Sequence, residues 1–390
     1  MALFYNLPDD VADNIFLHLP ADSLVRFKCV SKSWYALLCS LIKDPVFVAK
    51  NLQNFKNRSS SSLLISRLTE CDERRFSVLT PLVYNTDNDG ICSLIEDLNF
   101  PLCGDGRNRS YDWWAGIHCD GIICLLKSND GFASEVLVCN PALQEFKLVP
   151  GSMTNKSFTS GGMGFGYDCR TNNYKLVRIV HNDRRRVKAE VHILGTNSWR
   201  RLNVAQGIRV QDQSRYLHLK GVCYWLVMIE ASGECKVLCF NVSGEMFYFI
   251  PFPDSEMDYA SFFVWNDSFA LFLCNQEREN PDLASYEMWV MTEYDDIVKG
   301  ACPWTKHLVI GPLKRTKKFS YSGQPLDGFP IPEQFCKRDE LLFRNDGRLL
   351  SYNLHSQKLR DIGVAGWNHD VRIRFYVKSL VSVKARENTA

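Results

Sequence analysis

The sequence lacks cysteine pairs at the spacings that disulfide scaffolds and zinc sites use. It has 15 cysteines, an odd number, scattered through apolar runs such as GIICLL and VLCF, and no C-x-x-C pair occurs. This distribution disfavours both a disulfide framework and a structural metal site. We therefore expect small, buried, reduced thiols and no bound metal or other cofactor.

Long apolar runs and an excess of one charge are also missing. The chain carries 46 Lys and Arg against 44 Asp and Glu, for a formal net charge of +2. This balance does not favour a nucleic acid or an anionic membrane as a direct partner. No apolar run reaches the roughly 18 residues of a membrane-spanning helix, and the opening MALFYNLPDD has no secretory-signal pattern. We expect a cytoplasmic protein, with the nucleus as a second location.

Motifs that carry catalysis are absent as well. The sequence has no G-x-S-x-G elbow, no H-E-x-x-H pair and no G-x-x-x-x-G-K-[ST] loop. The glycine-rich stretch GGMGFGYD at 161–168 leads into the strand-like YKLVRI. A phosphate cradle needs a helix there, so we expect tight strand packing instead. The prediction is a protein without catalytic residues, and the alternative is an enzyme.

Apolar residues at helical spacing predict three short helices within residues 1–50. Asp22 and Ser31 are candidate N-caps of the second and third helices, and Asp44-Pro45 predicts the end of the third. So small a bundle cannot hide all of its apolar side chains. The surplus requires either a partner protein or packing against the rest of the chain.

The order of residues in this segment closely resembles an F-box. It contains Leu-Pro pairs at 7–8 and 19–20, followed by S-L-x-R-F-x-C-V-x-K-x-W at 23–34. The resemblance implies helices that dock on a Skp-type adaptor and, through it, on a cullin and a RING protein. The residues that it implies for adaptor binding are Leu7, Pro8, Val11, Ile15, Leu19, Pro20, Leu24, Val30 and Trp34.

The rest of the chain has the sequence pattern of a repeated β unit. Aromatic and β-branched runs alternate with Asn, Gly, Asp and Ser. Strand–turn–strand pairs recur about every 50 residues, beginning near 116, 164, 217, 262 and 339, the last after an insertion at 314–334. This repeat predicts a β-propeller of about six blades, with an antiparallel β-sandwich as the alternative. YVKSLVSV at 376–383 is the predicted strand that closes the ring against the first blade.

The expected architecture is an α+β multidomain protein. The predicted parts are a three-helix F-box at 1–50, a linker at 51–62, an all-β propeller-like domain at 63–383 and a tail at 384–390. The polar stretch KNRSSSS is the basis for the linker.

Residues 130–383 also resemble the plant F-box-associated domain, which is related to kelch propellers. The similarity is carried by segments such as CNPALQEFKLVP, GFGYD, NYKLVRI and EMWVMTEY. It implies a non-catalytic substrate receptor of an SCF-type cullin ubiquitin ligase. The sequence as a whole is similar to those of S-locus F-box proteins. This resemblance implies that the chain directs the ubiquitination of a non-self S-RNase in pollen and the pollen tube. The alternative is a receptor for another plant protein.

Target recognition is expected where the repeat is broken, because loops carry most binding functions. A basic RNase would prefer acidic breaks to the basic runs at 184–188 and 314–318. The predicted substrate-binding residues are Asp254, Glu256, Asp258, Glu277 and Glu279.

Overall fold

In the residues that the structure describes, four helices are followed by a β domain. The computed structural model describes residues 9–384 apart from 59–61, 72–73, 85–91, 95–111, 130–131, 153–157, 183–185, 212–215, 255–256, 293–302, 315–328, 338, 346 and 366–370. The helices are α1 (Asp9–Leu17), α2 (Ala21–Phe27), α3 (Lys32–Lys43) and α4 (Pro45–Arg58).

Ser31 starts α3 as the sequence predicts. Its side-chain oxygen accepts a hydrogen bond from the backbone N–H of Trp34 at 3.2 Å, which satisfies one of the free donors in the first turn. The predicted N-cap of α2 is wrong. Asp22 lies inside the first turn of α2, and the capping position is Pro20. The Asp22 carboxylate is instead paired with Lys378.

The helix α4 occupies a region where the sequence predicts the end of the helical domain. Asp44 both ends α3 and caps α4, since its carboxylate accepts from the backbone N–H of Val46 (3.0 Å) and of Phe47 (3.3 Å). Pro45 fits the first position of a helix because it has no N–H to satisfy there. The expected linker at 51–62 is therefore helical as far as Arg58.

The strands of the described residues form six antiparallel sheets. Sheet 1 has the order β25 (Val371–Phe375), β1 (Ser62–Cys71), β2 (Arg74–Tyr84), β3 (Cys92–Leu94). Sheet 2 contains β4 (Asp112–Cys119), β5 (Ile122–Asn129), β6 (Phe132–Asn140) and β7 (Glu145–Val149). Sheet 3 contains β8 (Phe158–Asp168), β9 (Asn173–Asn182), β10 (Val187–Ile193) and β11 (Trp199–Leu202).

The remaining three sheets follow in chain order. In sheet 4, β12 (Ile208–Val210) and β13 (Tyr216–Leu219) both pair with β14 (Val222–Ile229), which continues to β15 (Cys235–Asn241) and β16 (Met246–Pro251). Sheet 5 contains β17 (Tyr259–Trp265), β18 (Ser268–Gln276), β19 (Leu283–Met291) and β20 (Trp304–Lys314). Sheet 6 contains β21 (Ile331–Lys337), β22 (Glu340–Asn345), β23 (Arg348–Asn353) and β24 (Lys358–Ala365).

These sheets follow one another around a closed ring. The strand β4 contacts β8, β8 contacts β13, β13 contacts β17, β17 contacts β21, β21 contacts β25, and β2 of sheet 1 contacts β4. Sheets 2 to 6 are each built from consecutive strands, as the blades of a propeller are, whereas sheet 1 is completed by β25, the last of the described strands. The sheet count is close to the prediction of about six blades, and the sandwich alternative is wrong.

The strand that closes the ring differs from the predicted one. It is β25, whose Ile373 lies opposite Ile65 of β1 and is fully buried. The segment 376–383 contains no strand. The alternation in VRIRF is the pattern of a half-buried strand, whereas the apolar residues of 376–383 are buried against other parts of the molecule. The inner strand β21 also takes residues 331–334 from the predicted insertion.

The glycine-rich stretch at 161–168 forms most of β8 and packs closely against sheet 4. A Cβ atom on Gly164 would lie 2.7 Å from the ring of Trp225 and 2.8 Å from Val177. The indole N–H of Trp225 donates to the carbonyl of Met163 at 3.2 Å. The stretch therefore serves tight strand packing, as predicted. The cysteines in the described part of the chain form no disulfide.

The helices sit at one end of the ring. In an antiparallel meander, successive turns lie alternately at the two ends of the sheet. After four strands the chain is therefore back at the end where it entered the sheet, and the next sheet begins there. Ala142, in the turn between β6 and β7, packs with Phe16 and Leu24. Asp120, between β4 and β5, pairs with Lys56 of α4 at 2.6 Å. We call this the helix end. The link before β17 and the turn between β18 and β19 lie at the opposite, far end.

Candidate protein-binding sites

Several residues predicted to bind an adaptor present apolar side chains to solvent. Val11 is 39% exposed, Ile15 is 40% exposed and Val30 is 52% exposed. Pro20 is also exposed, while Leu7 and Pro8 lie outside the described residues. Exposed apolar residues grouped on a small domain are typical of protein contacts.

The other predicted residues form the core of the helical domain. Leu24 is fully buried in a cluster that includes Phe16, and Leu19 packs against this cluster. The indole of Trp34 lies between Phe16, at 5.4 Å, and Phe27, at 5.7 Å between ring centroids. A side chain inside the core cannot contact a partner protein, so Leu24 is not proposed as a contact residue.

Three further exposed apolar residues were missed by the sequence argument. Tyr35 is 58% exposed, Leu37 is 39% exposed and Val46 is 59% exposed. The signal for the first two is the helical spacing of α3, which turns Leu38 inward and leaves the positions beside it on the outer surface. Val46 could not be found this way, since it lies at the start of a helix that the sequence did not predict.

The structure brings the two predicted acidic segments together at the far end of the ring. The backbone N–H of Asp258 donates to the carbonyl of Cys274 at 2.9 Å. The carboxylate of Asp258 accepts from the backbone N–H of Gln276 at 2.7 Å. The link before β17 is thus attached to the end of β18. Asp258 has a structural role here in addition to its charge.

The exposure of the acidic residues varies. Asp254, Asp258 and Glu279 are exposed and Glu277 is partly buried, while Glu256 lies outside the described residues. The predicted basic run at 184–188 follows a turn at the same end, and its Arg186 is also exposed. Both signs of charge therefore occur at the far end, in different sheets.

The described residues contain no group of three or more His, Cys, Asp or Glu side chains that could hold a metal ion. None of the helices in the described ranges is long and apolar enough to cross a membrane.

Comparison with known proteins agrees with this two-part arrangement. Residues 83–383 match the model of the F-box associated beta propeller domain, and residues 4–45 match the F-box domain. The F-box protein CPR1 of Arabidopsis thaliana is 25% identical over 413 residues, which cover 96% of this chain and 88% of that protein. An F-box/kelch-repeat protein of the same plant is 27% identical over 257 residues, covering 64% of this chain and 66% of that protein.

Solved structures add only a distant likeness. TolB from Acinetobacter baumannii superposes with a TM-score of 0.39 and 8% identity, covering 84% of this chain and 72% of that chain. That score is too low to support an inference. The match of the β domain to its family model extends over most of the chain. The chain therefore belongs to the F-box associated beta propeller domain family, with an F-box domain ahead of the propeller.

Proposed function

We propose that this chain is the substrate-recognition subunit of an SCF-type cullin ubiquitin ligase. The helices bind a Skp-type adaptor, which connects to a cullin and a RING protein, and the propeller binds the protein target. The observation that carries the proposal is the set of apolar side chains, including Val11, Ile15 and Val30, that an F-box-matching domain leaves exposed. Full burial of one such side chain is worth about 1.5–3 kcal/mol.

The proposed mechanism is proximity. A target held near the ubiquitin-charged enzyme experiences a raised effective concentration of its lysines at the reactive thioester. The chain needs no catalytic group of its own for this role. The competing function is a propeller enzyme with a helical cap.

Charge introduced on the exposed apolar surface tests the adaptor contact. We expect Ile15→Glu and Val30→Glu to weaken binding of a purified Skp-type adaptor by about tenfold or more, because a buried carboxylate opposes the contact. Val309→Glu is the matched control, since Val309 is 58% exposed on β20. A cooperative thermal unfolding transition in all three variants is the check that they fold. Adaptor affinities equal to that of the wild type in both F-box variants would overturn the proposal.

We further propose that the target is a basic protein bound at the far end of the ring. The support is the group of exposed carboxylates of Asp254, Asp258 and Glu279. A non-self S-RNase in pollen is the specific candidate, because the sequence resembles S-locus F-box proteins and such a target would be basic. The cytoplasm of the pollen tube is the matching location. A receptor for another plant protein is the competing candidate, and the charge reversals in the Discussion separate the two.

A further inference from the structure

The last described segment of the chain lies between the helices and sheet 2. We call residues 376–383 the C-terminal clasp. It has no strand pairing, yet Tyr376 is 2% exposed, Leu380 is 1% exposed and Val383 is fully buried. These side chains enter three different apolar clusters. The segment therefore joins separate parts of the molecule instead of extending one sheet.

The clasp holds the helical domain by an apolar contact and an ion pair. Leu380 packs in the same cluster as Phe16 and Leu24. The Lys378 ammonium donates to the Asp22 carboxylate at 2.7 Å. Burial alone would raise the pKa of Asp22, but the hydrogen bond and charge of Lys378, with the charge of Arg26, outweigh it and lower the pKa.

On the propeller side, one buried amide holds the clasp. The side-chain NH₂ of Asn140 donates to the carbonyls of Ser379 (3.0 Å) and Val381 (2.7 Å). Its side-chain carbonyl accepts from the backbone N–H of Ala142 at 2.9 Å and of Leu143 at 3.4 Å. Ala142 and Leu143 themselves pack with the helices. A single side chain thus fixes both the clasp and the turn on which the helices rest.

The turn between β4 and β5 makes a second attachment. The hydroxyl of Ser379 donates to the carbonyl of Asp120 at 2.5 Å. A Cβ atom on Gly121, which has a φ of +79°, would lie 2.5 Å from that hydroxyl and 2.6 Å from the carbonyl of Val377. The Asp120 carboxylate pairs with Lys56 of α4. The clasp, the turn and α4 therefore meet at one place.

From these contacts we infer that the C-terminal clasp locks the F-box helices and the propeller into one rigid unit. Domains joined by a short connection move relative to one another unless further contacts hold them, and the clasp supplies such contacts from the distant end of the chain. Lys378, Ser379 and Leu380 are then positioning residues. If the chain acts as proposed above, they fix where a bound target lies relative to the ubiquitin-charged enzyme.

Carbodiimide cross-linking of the intact chain tests the lock. The reagent joins a carboxylate and an amine in contact, with loss of water. We expect Asp22–Lys378 and Lys56–Asp120 cross-links, detected by mass spectrometry. The Lys56–Asp120 yield then reports on docking in variants. Deletion of 376–390 should reduce this yield about fivefold or more, and deletion of 385–390 should leave it unchanged.

A charge swap keeps the test independent of truncation. Lys378→Glu should lower the Lys56–Asp120 yield, and Asp22→Lys combined with Lys378→Glu should restore it. Lys384→Glu, on an exposed lysine just after the clasp, is the matched control. Hydrogen exchange in β1 and β2 verifies that the ring stays intact. An unchanged Lys56–Asp120 yield in both the clasp deletion and Lys378→Glu would overturn the lock.

The positioning role has a separate measurement. In a ligase assembled from the purified adaptor, cullin and RING protein, the chain's own lysines serve as acceptors. We expect the clasp deletion to keep wild-type adaptor affinity but to spread ubiquitin over more of these lysines. An unchanged set of modified lysines would overturn the positioning role. Failure of the wild-type chain to bind the adaptor would instead overturn the proposed function, while the cross-linking result would still stand.

Discussion

Trp199 of β11 donates its indole N–H to the carbonyl of Pro150, which follows the last strand of the preceding sheet, at 2.8 Å. The same relationship occurs two sheets later, where Trp304 at the start of β20 donates to the carbonyl of Pro251 at 2.8 Å. Both tryptophans are buried. The outer strands of neighbouring sheets are thus joined by a repeated tryptophan–proline contact.

We predict that Trp199→Phe and Trp304→Phe each destabilise the propeller by about 1–3 kcal/mol, since each change removes a hydrogen bond between neighbouring sheets and leaves space beside a buried, smaller ring. Trp289→Phe is the control. The indole N–H of Trp289 donates within its own strand, to the carboxylate of Glu287 at 3.0 Å. Loss of this hydrogen bond should therefore lower the free energy of unfolding by less. Urea unfolding measures all three, and equal losses would mean that the contact between sheets has no special weight.

Gly164→Ala should destabilise the protein by about 1–3 kcal/mol, because the added methyl group overpacks the contact between sheets 3 and 4. The new Cβ atom would lie 2.7 Å from the Trp225 ring and 3.0 Å from the thiol of Cys223. Gly151→Ala is the matched control, since no atom lies within 4 Å of its Cβ position. Thermal unfolding of the two variants should show a lower midpoint for Gly164→Ala alone.

The stability of the propeller should fall between pH 7 and pH 5. His118 and His218 are partly buried, and loss of water around their rings lowers the pKa of each to about 4. Since histidine in the unfolded chain takes up its proton near pH 6.5, the stabilising contribution is complete above that pH and is lost as the pH falls towards 4.

His218→Asn tests this pH dependence. We expect the loss of unfolding free energy between pH 7 and pH 5 to shrink by about 1–2 kcal/mol in this variant. The control is His355→Asn, because the His355 side chain is 82% exposed. If the two variants and the wild type lose the same free energy on acidification, His218 takes up its proton as readily in the folded protein as in the unfolded chain.

The sequence predicted the structure correctly where a local motif is typical of a single structural element. The motif at 7–34 identified the F-box, and Ser31 started the helix that it was expected to start. The prediction was wrong where a local motif fits two structural elements equally well. Asp44-Pro45 ends one helix, but the same carboxylate and the same proline also begin the next. A helix stop and a helix start therefore look alike at this position.

The clasp could not be predicted because its apolar residues have no common partner. In VKSLVSV the alternation is that of a strand, and no local pattern reveals that Leu380 enters the helical core. The contacts of Asn140 with Ser379 and Val381 join residues far apart in the sequence. Such contacts depend on the completed ring, which brings the helices and the C-terminal clasp to sheet 2.

The structure also shows which acidic residues at the far end are suitable for charge reversal. Asp258 is unsuitable for charge reversal, because its carboxylate holds the backbone N–H of Gln276 and its loss would disturb the link before β17. Asp254 and Glu279 are both exposed. We predict that Asp254→Lys combined with Glu279→Lys slows association with an S-RNase and weakens its salt dependence, since exposed charges act mostly on the association rate.

The control for that reversal is Arg186→Glu at the same end of the ring, which should leave association with the S-RNase unchanged or make it faster. Surface plasmon resonance at two salt concentrations measures both variants. Association slowed by the acidic reversal alone supports a basic target. The opposite result, in which the acidic reversal has no effect and Arg186→Glu abolishes binding, indicates an acidic target. In that case the S-RNase proposal must be abandoned in favour of a receptor for another plant protein.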